Sequence, residues 1–443
     1  MGRLLITNAR ILDVSENGDS VAVRTGQDVL IDGNRIEALL PEGTADRSQF
    51  DSVIDAGGML LMPGLINCHA HVPMVLWRGL AEDVSIERWF NDYMWPLENN
   101  LQPEDVYWGM LLGLIEQIEA GVTSVADHYF HMQLAAQAVE KSGARALLGY
   151  AMFGSQGLAM VEETARFVQE YQGAANGRIR TIMAPHAPYT CDDDFLRASA
   201  QAAKRLGVGI HIHVSETTDQ TVASLARRGM TPVQVLERTG VLDVPTILAH
   251  VCGATPDDIR LLERYPVGIA HAVKTYLKLG QDTAPVVEFL AAGLPVGLAS
   301  DGAVSNSTLN LWEPLRLMAL TQKQRARMGE AMPIAQALHI ATRGSARVYG
   351  MPDELGAVAP GYLADLILID LSGAHHQPLH NIPASLVYNL QPGDVRTVII
   401  DGQVVMRDRQ LLTIDRDEVI AQVVSRMERL SYLDPAKRIQ TYA

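Results

Sequence analysis

The chain has 443 residues, 48% of them hydrophobic, with three cysteines and a formal net charge of −15 at pH 7. That length allows two or three ordinary domains, or one barrel with an accessory domain. Three cysteines give no disulfide framework, and the negative charge disfavours nucleic acid and anionic membranes as partners. No run of about 18 apolar residues marks a membrane span. The N-terminal segment Met1–Asn8 soon turns polar and lacks a signal-peptide cleavage pattern, so the cytoplasm is the default location.

The chain opens with β signals. Arg3–Leu12 and Asp28–Ile31 are strand-like, and Asp32-Gly33-Asn34 before Ile36 predicts a hairpin. The apolar run Met59–Ile66 then predicts a buried strand leading into Asn67-Cys68-His69-Ala70-His71. Residues two apart on a strand share a face, so His69 and His71 aim in one direction. Two imidazoles side by side in a core are hard to satisfy with hydrogen bonds, whereas a divalent metal satisfies both. A His-x-His alone is a weak signal, and its meaning depends on ligands further along.

Beyond it, short apolar segments alternate with amphipathic stretches such as Asp194–Leu206 and Asp257–Tyr265. Strands are predicted at Leu60–Ile66, Ser124–Asp127, Ala146–Tyr150, Ile179–Ala184, Gly209–Val214, Thr246–His250, Val267–His271 and Pro295–Ser300. Eight strands with helical spacers predict a (β/α)8 barrel, whose reactive residues sit at the C-terminal ends of its strands. His186 closes the fourth strand, His213 the fifth, His250 the sixth and Asp301 the eighth. Nine of the thirteen histidines fall between His69 and His271. A ring of imidazoles and carboxylates around one mouth predicts a metal site. His211 shares the face of His213 and reads as one layer deeper. His128 and His131 either line the mouth or are ordinary loop residues. His271 is a candidate pocket boundary, and His339, His375, His376 and His380 lie outside the pattern.

The end of the chain mirrors its start. Asp365–Asp370 and Val395–Ile400 read as strands, and Asp401-Gly402 turns into Gln403–Met406. Both ends carry an apolar strand, an Asp-Gly and a second apolar strand. The simplest arrangement is one small β domain built from both ends, with the middle inserted.

These motifs together resemble the amidohydrolase superfamily over essentially the whole chain. Pro63 through His71 is similar to its first-strand metal motif, and Glu354-Leu355-Gly356 through Pro360–Leu366 to its barrel-exit signature. Within it the chain most resembles deaminases of S-adenosylhomocysteine and 5'-methylthioadenosine. That likeness is carried by Pro73–Asp83, Trp89, Trp95-Pro96-Leu97-Glu98, Leu277-Lys278-Leu279-Gly280 and Asp301–Asn306. The resemblance implies an α/β fold: a (β/α)8 TIM-type barrel over 59–354 and a small β-sandwich domain from 1–58 and 355–443.

It also implies roles. His69, His71, His213 and Asp301 would bind one divalent metal, with zinc expected and iron or manganese as alternatives. Some relatives hold two metals bridged by a modified fourth-strand lysine, but Ile179–Ala184 offers none, so one metal is expected. Asp301 would take a proton from the attacking water, Glu216 would protonate a ring nitrogen, and His250 would orient the water. Glu82 would accept hydrogen bonds from ribose hydroxyls, and His186 would contact the purine or ribose. Trp77 and Trp89 are candidate pocket walls, and Ser305 a further substrate contact. Arginines that some relatives place after the third strand are missing beyond Tyr150. Lys274 and Tyr276 depart from the usual seventh-strand motif, and together with Tyr150 they are expected to contact the substrate and set which molecule is attacked.

The leading expectation is a metal-dependent aminohydrolase of an adenine nucleoside derivative, acting on a small molecule. A second keeps the machinery and changes the ring to a pterin, a guanine-like base or a triazine, as deaminase or dechlorinase. A third, a metal-free scaffold on the same fold, predicts missing ligands, and none is missing. Homo-oligomers are common in the family, which leaves self-association open.

Overall fold

The structure is a computed structural model and describes residues 2–434, so Met1 and 435–443 of the small-domain range lie outside the described residues. Seven strands come first: β1 Arg3–Thr7, β2 Arg10–Val14, β3 Val21–Arg24, β4 Gln27–Asp32, β5 Arg35–Pro41, β6 Ser52–Asp55 and β7 Leu60–Pro63. Four of them form one sheet in the order β5-β4-β1-β6. The predicted hairpin forms, with Asp32 paired to Arg35 across Gly33-Asn34.

The middle of the chain supplies β8 Leu65–His71, β9 Val122–Tyr129, β10 Arg145–Met152, β11 Ile179–Pro185 and β12 Ile210–Val214. It continues with β13 Thr246–His250, β14 Val267–His271, β15 Val296–Leu298 and β16 Asp301–Gly302. These nine strands form one sheet, ordered β15-β14-β13-β12-β11-β10-β9-β8-β16, and every pairing in it is parallel. Its edge members β15 and β16 are separated only by Ala299 and Ser300, so the sheet curls until its two edges meet. β8 and β9 are buried along almost their whole length, as a parallel sheet covered by helices requires.

Four more strands follow: β17 Leu366–Ile369, β18 Val395–Ile400, β19 Gln403–Arg407 and β20 Gln410–Leu411. They join strands from the start in a seven-stranded sheet, β20-β19-β18-β17-β7-β2-β3. Both chain ends therefore contribute to one sheet. The Asp401-Gly402 turn has both residues at positive φ, 53° and 77°, as a tight two-residue hairpin needs. Leu4, Ile6, Val29 and Ile31 of the four-stranded sheet share a buried cluster with Ile11, Leu61, Leu366 and Ile399 of the seven-stranded one.

One predicted strand divides. Leu60–Ile66 reads as continuous, but β7 pairs with β2 and β17, whereas β8 begins the curled sheet at Leu65. Gly64 is the crossing point, and a Cβ there would lie 2.2 Å from the Thr123 side chain. Both pieces are buried on both faces, so no change of alternation marks the break. Pro295–Ser300 likewise resolves into β15, followed by a break before β16. Among the described residues no helix is long and apolar enough to cross a membrane.

Arg145, at the foot of β10, ties the curled sheet to the terminal strands. Its Nε and Nη2 donate to Asp365 at 2.8 and 3.0 Å, and Nη2 also donates to Asp401 at 2.9 Å, all buried. Arg145→Met would remove the guanidinium to which both buried carboxylates are bonded, leaving only the field of Arg178 near them. A loss of about 3–5 kcal/mol in unfolding free energy is expected. Urea denaturation measures it, and a loss below about 1 kcal/mol would refute this reading of the cluster.

Candidate functional site

The register of the curled sheet assembles the site. Asp301 pairs with Ala70, which sets its carboxylate beside His69 and His71. His213 pairs with Ala249, one residue before His250. Asp301 Oδ1 lies 3.5 Å from His69 Nε2 and 3.4 Å from His71 Nε2, and the Nε2 atoms of His71 and His213 are 3.2 Å apart.

Backbone carbonyls fix the tautomers. His71 Nδ1 is 2.5 Å from the His128 carbonyl oxygen, and His213 Nδ1 is 2.8 Å from that of His186. A carbonyl only accepts, so both Nδ1 atoms carry the proton and both Nε2 atoms are bare. His69 Nδ1 is 2.8 Å from His211 Nε2, and His69 Nε2 is buried without a hydrogen-bond partner. With its proton on Nδ1, His69 presents a third bare lone pair. Three imidazole lone pairs and a carboxylate thus face one another where no proton can bridge them. That arrangement is repulsive without a cation. The spacing suits one, since the ligand atoms of four-coordinate zinc lie about 3.3 Å apart. His211 sits behind His69 and orients it, as a residue one layer deeper should.

Burial sets the protonation states. It lowers the pKa of His69, and lowers those of His128, His211 and His213 well below the usual value. His186 and His250 are pushed down to about 3, again chiefly by burial. Neutral imidazoles are the form that binds metal. Burial alone would raise Asp301, but its close contacts with His69, His250 and His71 outweigh it and hold the carboxyl below its usual range. Glu216 goes the other way. Burial pushes it up to about 7, against the hydrogen-bonding pull of Tyr189 and Gln220. One carboxyl is thus kept ionised and a second protonatable in the same mouth, the split that acid–base chemistry uses.

The backbone is strained at the same strand ends. Ser215, His250, Val251 and Asp301 have φ of 47°, 77°, 58° and 61°, a region that non-glycine residues seldom occupy.

The site opens into a cavity. His71, His213, Glu216, His250 and Asp301 line it, with His186, His128 and Trp89. Ser305 lines it too, but its Oγ donates to Asp301 Oδ2 at 2.9 Å, so it holds the carboxylate. The other sequence-predicted substrate residues are placed elsewhere. Glu82 is exposed and bound to Lys278 at 2.7 Å. Trp77 is fully buried and donates to the Leu430 carbonyl at 2.9 Å. Tyr150 packs its ring 5.9 Å from Phe167 while its neighbour Ala151 lines the cavity, as strand alternation dictates. Lys274 pairs with Glu313 at 2.6 Å. Tyr276 accepts from the Ala272 amide at 2.9 Å and backs the His250 ring at 5.6 Å. His271 is buried behind it, outside the cavity lining.

Glu98 is a cavity acid to which the sequence assigns no role. It lines the cavity, its Oε1 accepts from the Tyr129 hydroxyl at 2.8 Å, and its Oε2 has no partner. Burial pushes its pKa up to about 8. It follows a π-helical turn, Trp89–Met94, of the kind often found at functional sites. The available signal was an acid between Leu97 and a helix start, in a segment whose Trp95, Pro96 and Leu97 are all buried.

A model of the amidohydrolase family matches residues 60–405. The chain is 42% identical to a 5-methylthioadenosine/S-adenosylhomocysteine deaminase of Pelotomaculum thermopropionicum, over 97% of this chain and 99% of that one. It is 41% identical to the enzyme of the same name from Desulforudis audaxviator, with the same coverage. Its fold is similar to that of an adenosine deaminase from Xanthomonas campestris with bound zinc: TM-score 0.89, 30% identity, 96% of this chain and 98% of that one. It is also similar to an atrazine chlorohydrolase from Arthrobacter aurescens complexed with zinc: TM-score 0.88, 26% identity, 96% and 100% coverage.

Proposed function

This chain belongs to the amidohydrolase family, and from that premise we propose that it hydrolytically deaminates an adenine nucleoside derivative, giving the inosine analogue and ammonia. Adenosine, 5'-methylthioadenosine and S-adenosylhomocysteine are the candidate substrates. The observation that carries the reading is the meeting of His69, His71, His213 and the Asp301 carboxylate within 3.5 Å contacts at a cavity that Glu216 and His250 also line. We read the curled sheet as a closed (β/α)8 barrel over 59–354, and the two other sheets as a β-sandwich domain. The cluster shared by those two sheets supports the second.

His69, His71, His213 and Asp301 would hold one divalent ion, with zinc expected. Bound there, it supplies a Lewis acid that lowers the pKa of a water molecule toward neutrality. β11 carries no lysine to bridge a second ion. Asp301 takes a proton from the attacking water as its oxygen bonds to the amine-bearing ring carbon. Glu216 gives its proton to the adjacent ring nitrogen, so that charge does not accumulate on the ring. His250 orients the water. Asp301 then hands its proton to the leaving amine, the carbon–nitrogen bond breaks, and the new hydroxyl returns a proton to Glu216. Water is consumed and ammonia is released.

Glu98 takes the sugar-binding role first given to Glu82: its free Oε2 can accept from a vicinal diol. Glu98→Gln is expected to raise KM for a nucleoside about tenfold, the worth of a hydrogen bond to a buried carboxyl group. Glu82→Ala should change it by less than about threefold, as an exposed ion pair would. The second reading, another amino-heteroaromatic ring such as a triazine, is favoured by the likeness to the chlorohydrolase. An enzyme for such a ring has no diol to bind, and its KM would not move in Glu98→Gln. The direct test is ammonia release from the three nucleosides by metal-replete protein. No turnover of any of them sinks the nucleoside reading.

A further inference from the structure

The cavity also bears on the far end of the substrate. The relatives are named for two substrates that share adenosine and differ at the 5' carbon. One ends in a neutral methylthio group. The other ends in homocysteine, which carries an ammonium and a carboxylate.

Among the described residues that line the cavity there is no lysine and no arginine. The acids there are Glu98, Glu216 and Asp301. Leading away from His213, the wall is a continuous run of rings. His186 lies 4.7 Å from His213, Phe153 stacks on His186 at 4.5 Å, Trp95 meets Phe153 at 5.7 Å, and Phe90 meets Trp95 at 5.2 Å. The donors in this wall are the indole Nε1 groups of Trp89 and Trp95, both buried and without a partner. They are neutral. They can donate to an ether oxygen or a ring nitrogen, but they do not offset a full negative charge. Lys274 and Lys278 are engaged by Glu313 and Glu82. Ile86 lines the cavity and is half-buried, so it marks where the apolar wall meets solvent.

We propose that this site selects adenosine derivatives whose 5' substituent is uncharged, with a methylthio group as the fitting type, and discriminates against an amino-acid tail. A carboxylate drawn along this wall loses its water and gains no counter-charge. Charge is the discriminator that this lining offers. The inference rests on the nucleoside deaminase reading and narrows it.

The test compares kcat/KM for adenosine, 5'-methylthioadenosine and S-adenosylhomocysteine on the metal-replete, full-length enzyme. Methylthioadenosine should exceed adenosylhomocysteine by about a hundredfold or more, with adenosine between them. Ile86→Arg, at a half-exposed position that can tolerate a long polar side chain, places a cation at the mouth. It should raise the adenosylhomocysteine-to-methylthioadenosine ratio about tenfold or more. Values for the two substrates within about threefold in the native enzyme would overturn the inference while leaving the deaminase reading intact. A ratio unmoved by Ile86→Arg would overturn the placement of the tail along this wall. Turnover of none of the three would overturn both.

Discussion

Asp301→Asn is expected to lower kcat/KM at least about 10⁴-fold and to leave the purified protein with well under one divalent ion per chain. Two losses meet in one side chain. The first is charge: Asp301 is the only anion among the four candidate ligands, and its Oδ1 stands within 3.5 Å of two imidazole nitrogens. An amide of the same size leaves three bare nitrogens with no negative partner. The second is basicity, because an amide cannot take the proton that water must lose. Metal analysis and turnover separate the two. Full metal content with lost turnover would assign Asp301 to proton transfer alone. Full metal content with full turnover would remove it from the site. The fold should survive the change, because Ser305 can still donate to the amide oxygen in place of the Oδ2 it now meets at 2.9 Å.

The reactive end of this site was legible because its signal is periodic. His69 and His71 sit two apart on one strand, and His213, His250 and Asp301 each follow an apolar run that can only be a buried strand. Position at a strand end is then enough to bring them together, whatever the loops do. The break at Gly64 was not legible, because β7 and β8 are both buried on both faces and read as a single run. Nor was the strained backbone at His250 and Asp301, since nothing in residue type marks a positive φ away from glycine.

The substrate end was far less legible, and Glu82 and Glu98 show why. Both lie in the long connection after β8, and both are acids near tryptophans. Only the path of that connection decides which one turns inward. Its helical stretch, Ile86–Glu98, carries Glu98 into the cavity and leaves Glu82 outside, against Lys278. Tyr150 failed for a simpler reason. It is at a strand end, but on the odd side of the alternation, and faces Phe167 rather than the mouth. Lys274 and Tyr276 stood out as unusual residues. Each proves to be spent on a neighbour, Glu313 for one and the Ala272 amide for the other.

Glu216→Gln is expected to lower kcat about 10²- to 10⁴-fold, the usual worth of a positioned acid, with little change in metal content. The pH profile identifies the role. Glu216 must donate a proton, so it works in its protonated form. Burial raises its pKa to about 7, which keeps that form present in neutral solution. Activity should therefore fall as pH rises through about 7, and the charge of a bound cation nearby would draw that limb lower. In Glu216→Gln the residual rate should lose this alkaline limb. Stability should move in the opposite sense. A carboxyl whose pKa is raised on folding favours the folded state while protonated, and that contribution is lost as pH rises from its unfolded value through about 7. Above that pH the native protein buries an ionised carboxylate that glutamine does not. Thermal melts at pH 8 should thus find Glu216→Gln at least as stable as the native chain, and relatively less favoured at pH 5. A variant that loses activity and melts lower at pH 8 would mark Glu216 as a structural residue. An alkaline limb that persists in the variant would assign the titration to another group.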